Sequence, residues 1–250
     1  MTIAFVNGVP VTPAVWTPLI NELPEARQRE VVLLSPPGFG SPLPPDFEAT
    51  FDGYRTWLIE ELSRFDTPPD VVGHDFGGGF ALEVAMTRPD LIRSWVSDTI
   101  GGYEPDFTWH EIAKVWQTPG EGERDIAETF SGNADERAAR MTEWGIPEPT
   151  AGDVAAGQGP VMGKAILSLY RSVPQPVLIE RGRDLPAAAA RPGLVPIATQ
   201  DLTAGSAALR HRAAARAGAR AVELDGLGHW WMLEDPARAT GMLIDFWNSF

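Results

Sequence analysis

The chain has 250 residues, of which 44% are hydrophobic and 22% charged, the balance of a packed core rather than of a disordered chain, and enough for one domain with an insertion. Its formal charge is −14, from 34 Asp+Glu against 20 Lys+Arg, which speaks against nucleic acid and anionic membrane surfaces as partners. Cysteine is absent, excluding disulfides, thiolate zinc sites and a cysteine nucleophile, and no apolar stretch approaches the ~18 residues of a membrane span. The start, Met1-Thr2-Ile3-Ala4-Phe5-Val6, lacks a basic leader and reads as a strand, so a soluble cytoplasmic protein is expected. A helix is expected over 14–23, a β-branched strand over 30–34, a turn-rich loop from Ser35 to Gly40, and a helix over 54–65 with Trp57, Leu58, Glu61, Leu62 and Phe65 at helical spacing. Val71-Val72 is a short strand, residues 80–87 are a helix stopped by Arg88-Pro89, and 94–97 are another strand. This alternation of strand and helix is that of a parallel sheet covered on both faces.

The alternation breaks at Gly101-Gly102. From there to about residue 173 the pattern is helical, and the segment reads as a lid inserted into the sheet domain. Residues 173–191 are a return rich in Pro and Ala. The sheet resumes over 194–198, a helix covers 207–217, the last strand is 221–224, and a terminal helix runs from about Pro236 to Phe250. The expected division is a core of residues 1–100 and 174–250 with a helical lid over 101–173.

The chemistry concentrates at Gly73-His74-Asp75-Phe76-Gly77, where a strand ends and a helix begins at once. Glycines there permit a tight turn that pushes the middle side chain into the open, at a helix N-terminus that favours an anion. Read by itself the turn also fits an ordinary N-cap Asp. A second signal is Gly226-Leu227-Gly228-His229, on a Gly-flanked loop after the last strand.

This order of elbow, helical insertion, acid and late His resembles the α/β-hydrolase fold over nearly the whole chain. Asp in place of Ser at the elbow resembles the branch that holds epoxide hydrolases and haloalkane or haloacetate dehalogenases. Asn7-Gly8-Val9-Pro10 resembles that branch's H-G-x-P loop, with Asn replacing His, and Pro37-Gly38-Phe39-Gly40-Ser41 resembles its P-G-x-G-x-S loop. The family's usual first two strands are missing, so a mostly parallel sheet of about six strands is expected. The resemblance implies Asp75 as nucleophile, His229 as base, and the backbone N–H groups of Val9 and Phe76 as oxyanion hole, with no cofactor. A carboxylate suits attack on a saturated carbon bearing an epoxide oxygen or a halide, because it is already anionic at neutral pH. Two acids could orient His229: Asp201, 28 residues before it, which is favoured, and Asp98 at the end of the strand 94–97, where some members carry the acid. Asp184 would leave no strand before Arg191 and is set aside.

In the lid, Leu169-Tyr170-Arg171 resembles the Y-R of epoxide hydrolase lids. Trp109-His110 resembles the Trp-His of a bacterial subset in which that His replaces a second Tyr. Both side chains can donate a hydrogen bond to an epoxide oxygen. Haloalkane dehalogenases usually carry Trp after the nucleophile and haloacetate enzymes an Arg pair; Phe76 and Gly79 stand here instead. Tyr103, Trp109, Trp116 and Trp230 could line an apolar pocket, packing being the plainer reading for the tryptophans. His74 reads as a buried structural residue and His211 as part of a solvated helix face. The four His are scattered, so no metal site is expected. The reading is epoxide hydrolysis of a small apolar substrate; dehalogenation on the same machinery, or a non-catalytic ligand-binding protein, are the alternatives, and ester or lactone hydrolysis is disfavoured by the missing Ser.

Overall fold

The computed structural model describes residues 2–250. Strand β1 (Ile3–Val6) leads through a 3-10 turn at Pro13–Trp16 into α1 (Thr17–Glu22) and the short α2 (Glu25–Gln28). Then come β2 (Val31–Leu34), α3 (Phe51–Leu62), β3 (Asp70–Gly73), α4 (Phe76–Thr87) and β4 (Ser94–Ser97). Helices follow without an intervening strand: α5 (Glu111–Gln117), α6 (Glu121–Thr129), α7 (Ala134–Glu143), α8 (Thr150–Ala156), α9 (Pro160–Ser172) and α10 (Gln175–Arg181). A 3-10 run, Gly182–Ala190, returns the chain to β5 (Gly193–Ala198), α11 (Ala207–Arg216), β6 (Arg220–Leu224), α12 (Trp231–Glu234) and α13 (Pro236–Trp247).

The six strands form one sheet in the order β2-β1-β3-β4-β5-β6, and every pairing is parallel. A parallel sheet must be covered on both faces, and successive side chains of a strand point to opposite faces. Ala4, Val6 and Val71 accordingly join a cluster with Leu58 of α3 and Phe80 and Val84 of α4, while Ile3, Phe5 and Val72 join Trp16, Leu19, Trp231 and Leu243 on the other face. The chain order reverses beside β1: β2 lies on one flank and β3 on the other. Such a switch point leaves a crevice beyond the carboxyl ends of the two strands, which is where α/β sheets bind ligands. Asn7-Gly8-Val9 and His74-Asp75 emerge there.

Three elements depart from the sequence expectation for local reasons. Helix α3 starts at Phe51 because the Thr50 side chain accepts the Gly53 N–H at 3.1 Å, an N-cap that outweighs the apolar periodicity from 54 onward. Helix α4 starts at Phe76 and takes in three glycines, poor helix formers, of which Gly77 lies against the end of β1 and Gly78 against β3 and β4. The Pro- and Ala-rich return, for which the sequence named no element, folds into α10 and the 3-10 run.

Candidate active site

Asp75 has φ 52° and ψ −128°, and it is the one non-glycine at positive φ among the described residues. Such strain costs about 1–3 kcal/mol and persists only where neighbours impose it. Here the Asp75 N–H donates to Asp98 Oδ1 at 2.9 Å, and Thr99 Oγ1 donates to the Asp75 carbonyl at 2.8 Å. The turn fits because its neighbours lack side chains. A Cβ on Gly77 would lie 2.3 Å from the Val6 carbonyl oxygen, and one on Gly8 would lie 2.3 Å from Asp75 Cβ. With β1 and β3 this close, the Val9 N–H donates to Asp75 Oδ1 at 2.9 Å. The Phe76 amide opens α4 directly behind, at the positive end of the helix dipole.

His229 faces this carboxylate from the loop after β6. Its Nδ1 lies 3.1 Å from Asp201 Oδ2 and 3.1 Å from Thr203 Oγ1, and the Thr203 hydroxyl and N–H donate to Asp201 Oδ1 at 2.7 and 2.8 Å. Burial opposes charging His229, but the carboxylates of Asp201, Asp75 and Asp98 outweigh it and hold the imidazole up at about 9. Burial likewise opposes the Asp201 anion, yet His229 and Thr203 keep its carboxyl well below the usual range. Behind it Arg210, 1% exposed, donates through Nη2 to the carbonyls of Ala198, at 2.9 Å, and Asp201, at 2.5 Å, with Nη1 3.8 Å from Asp201 Oδ2.

Of the two candidate acids, Asp201 is the one whose carboxylate reaches His229. Asp98 is engaged elsewhere. Its Oδ2 takes His74 Nδ1 at 2.5 Å and Trp231 Nε1 at 2.8 Å, while its Oδ1 takes the elbow amide. Burial disfavours the Asp98 anion, but these partners lower its carboxyl all the same. His74 is fully buried, as expected, with its ring centroid 4.6 Å from that of His229; among the described residues its Nε2 has no partner.

Opposite Asp75 stand His110 and Tyr170. His110 is the N-cap of α5, and its Nδ1 accepts the Ala113 N–H at 3.3 Å. That bond leaves the proton of the neutral ring on Nε2. Burial lowers the imidazole against the pull of Asp75, so the neutral form prevails. Tyr170 is buried, its ring centroid 4.9 Å from Phe76 and 6.3 Å from His110. Burial and then the charge of Asp75 push the phenol well up, so it keeps its proton. Among the described residues its hydroxyl makes no hydrogen bond.

Two chambers meet at Asp75, His110 and Thr203. The inner one, about 40 Å³, is walled by Phe51, Phe76, Phe107, Trp109 and Leu178, with Tyr103 at its edge. The outer one, about 340 Å³, contains Tyr170, His229, Trp116, Trp144 and Trp230. The indole N–H groups of Trp109, Trp116 and Trp230 are all engaged away from the ligand space, with the Val173 carbonyl at 3.0 Å, Asp125 Oδ2 at 2.6 Å and the Trp144 carbonyl at 2.8 Å. Tyr103 donates to buried Glu83 at 3.1 Å. His211 is paired with Glu223 at the surface, and Asp184 is exposed in the 3-10 run. Thr99, Thr203 and Arg210 escaped the sequence reading. Thr203, two residues after the acid, and Thr99, one after Asp98, offered only proximity as a signal; Arg210 stands in a helix that reads as solvated.

A model of the α/β hydrolase family matches residues 3–240. The chain belongs to the α/β-hydrolase family. Solved α/β-hydrolase structures superpose over nearly its full length. A loop variant of a haloalkane dehalogenase from Bradyrhizobium elkanii has TM-score 0.70 and 17% identity, covering 99% of this chain and 90% of that one. An enol-lactonase from Burkholderia xenovorans LB400 has TM-score 0.68 and 20% identity, covering 99% and 91%. At such identities the likeness establishes the fold. A curated relative, the (E)-2-((N-methylformamido)methylene)succinate hydrolase of Acinetobacter baylyi, is 26% identical over 92 residues, 36% of this chain and 34% of that protein. Among the described residues, no helix is long and apolar enough to cross a membrane.

Proposed function

We propose that this hydrolase opens a small apolar epoxide to a diol through an ester on Asp75, with residues 101–173 acting as the lid over the site. The observation that carries the reading is the carboxylate at the strained elbow, with one oxygen held by the Val9 N–H at 2.9 Å. Oδ2 is then the attacking atom. It bonds to an epoxide carbon, the carbon–oxygen bond of the ring breaks, and the ring oxygen takes a proton with Tyr170 Oη–H and His110 Nε2–H as its donors. Esterification removes the Asp75 charge, one of the three that hold the His229 imidazole up, so His229 becomes the base for the second step. Water adds to the ester carbonyl as its proton passes to His229. The oxyanion on Oδ1 is held by Val9 and the first amide of α4; as it collapses, the bond from the Asp75 carboxyl carbon to the substrate oxygen breaks, that oxygen takes the proton from His229 and leaves in the diol, and Asp75 gives up its acid proton to restore the lid donor.

Dehalogenation on the same carboxylate is the second reading, favoured by the family's haloalkane dehalogenase neighbours. A departing halide needs N–H donors around it. Phe76 offers no side-chain donor, and the Trp109, Trp116 and Trp230 indoles are bound to other partners, which supports the epoxide. The test is to incubate His229→Gln with epoxides, haloalkanes and esters and to locate any adduct by peptide mass spectrometry. An epoxide-derived mass on the Asp75 peptide is expected, with Tyr170→Phe and His110→Ala each slowing its formation by about 10²-fold. An adduct elsewhere would overturn the mechanism, and halide release matching diol formation would transfer it to the dehalogenase.

A further inference from the structure

Thr203 is the residue at which the two chambers and the acid–base pair meet. Its place in the chain is fixed from both sides. The Asp201 carbonyl takes Arg210 Nη2 at 2.5 Å, and the Ala204 carbonyl lies so close to Gly101 that a Cβ there would fall 2.2 Å from its oxygen. Between these anchors the Asp201 side chain accepts the Thr203 N–H at 2.8 Å, closing an Asx turn. Branching at Cβ leaves the threonine few rotamers, and in this one its hydroxyl donates to the same Asp201 Oδ1 at 2.7 Å. Oδ1 is thereby occupied twice by one residue, and Oδ2 is the oxygen turned to His229.

An ionised carboxylate only accepts hydrogen bonds, so the contact of His229 Nδ1 with Asp201 Oδ2 at 3.1 Å puts a proton on Nδ1. The Thr203 hydroxyl has a single proton, already given to Asp201, so its oxygen, also 3.1 Å from Nδ1, accepts as well. The Nδ1–H is shared between two acceptors at equal distance, a three-centre bond. We infer that Thr203 is a positioning residue for the second chemical step: its oxygen, together with Asp201, keeps the His229 proton on Nδ1 and the lone pair of Nε2 turned toward the water that attacks the ester. The need is greatest in that step. While Asp75 is an anion, its charge helps to hold the imidazolium; once it is an ester that attraction is gone, and the contacts at Nδ1 carry more of the task. The attack of Asp75 on the epoxide makes no use of His229. The inference rests on the reading of Asp75 as the nucleophile and His229 as the base.

Thr203→Val keeps the shape of the side chain and removes the hydroxyl, whereas Thr203→Ser keeps the hydroxyl. In single-turnover reactions with 1,2-epoxyhexane, Thr203→Val should slow the decay of the Asp75 adduct, relative to its formation, by about tenfold, the order of one hydrogen bond, and Thr203→Ser should bring the ratio back to within about threefold of wild type. A residue that served only to fold the loop would slow both steps together. Where the valine variant fails to fold, Thr203→Ala takes its place with the same expectation. A second arm needs no substrate: the Nδ1–H resonance of His229, identified by its absence from His229→Gln, should exchange with water about tenfold faster in Thr203→Val than in the wild type or in Thr203→Ser. That exchange pattern without an adduct from the epoxide would uphold the role of Thr203 at His229 and remove the epoxide reading. Formation and decay slowed alike, serine no better than valine, or unchanged exchange would overturn the positioning role.

Discussion

His229 is held at about 9, against an ordinary 6.5, by the carboxylates gathered round it. A group whose folded value is raised adds stability that is full below its unfolded value and vanishes as pH rises through the folded one. The melting temperature of the wild type minus that of His229→Gln should thus be largest below about pH 6.5 and shrink steadily to about pH 9; a difference that grows over this window would show the imidazole to be neutral in the free protein. The two acids separate in kind. Asp201→Asn removes the charged partner of His229 Nδ1 and with it the stability that the raised imidazole lends below about pH 9, but it leaves its own backbone contacts, so a loss of up to ~10⁴-fold in turnover with a smaller loss of stability than in Asp98→Asn is expected. Asp98→Asn breaks a buried set that includes His74, Trp231 and the Asp75 amide, so it should lower stability by about 3–5 kcal/mol, as loss of one partner of a buried pair does. Chemical denaturation beside single-turnover kinetics distinguishes the two; equal stability of both variants would contradict the division.

The elbow depends on how closely β1 and β3 bring their carboxyl ends together. Gly8 touches the base of the Asp75 side chain, and its neighbour Val9 supplies the amide to Oδ1. Gly8→Ala pushes this loop away, since a Cβ there would fall 2.5 Å from Oδ1 itself. Loss of one oxyanion donor costs about 10²–10³ in rate, so ester hydrolysis in Gly8→Ala should slow by that order, measured as decay of the adduct after mixing. A rate within a few-fold of wild type would mean that Val9 does not hold the oxyanion. Helix α5 shows the same economy of placement: its N-cap is the residue that faces the nucleophile, so the bond that starts the helix also selects which nitrogen of His110 donates.

Across the molecule, the helices after β4 are tied to the sheet by ion pairs at the point where the chain leaves and re-enters it. Glu83 of α4 is buried and takes Tyr103 at 3.1 Å and Arg181 of α10 at 3.0 Å, and Arg181 also reaches Asp52 of α3 at 2.8 Å. Burial raises the Glu83 carboxyl despite these partners, so the cluster positions the segment more than it stabilises the fold, yet removing one partner still leaves charge behind. Glu83→Gln should cost about 2 kcal/mol, less than a fully buried pair because Arg181 can regain water, and it should loosen the inner chamber, whose edge Tyr103 forms. Denaturation midpoints and hydrogen exchange over residues 100–110 and 175–185 check this; unchanged exchange there would detach the ion cluster from the site.

The six strands, the strand-to-helix elbow at Asp75 and the late His229 were legible along the chain, because strand burial leaves continuous apolar runs and the tight turn demands its glycines in sequence. The helical stretch from about 110 to 172 was legible for the same reason of periodicity. The boundaries of α3 and α4 were less so, since a Thr50 cap and the packing of Gly77 and Gly78 against β1, β3 and β4 override local preference. Which acid meets His229 could not be read from spacing, because Asp98 and Asp201 both end strands; it depends on strand order in the sheet and on Trp231 and His74 occupying Asp98. The tautomer of His110, the engagement of the three indoles and the burial of Arg210 are all properties of through-space neighbours. A linear pattern records which residues share an element, not which side chain of one element meets which of another.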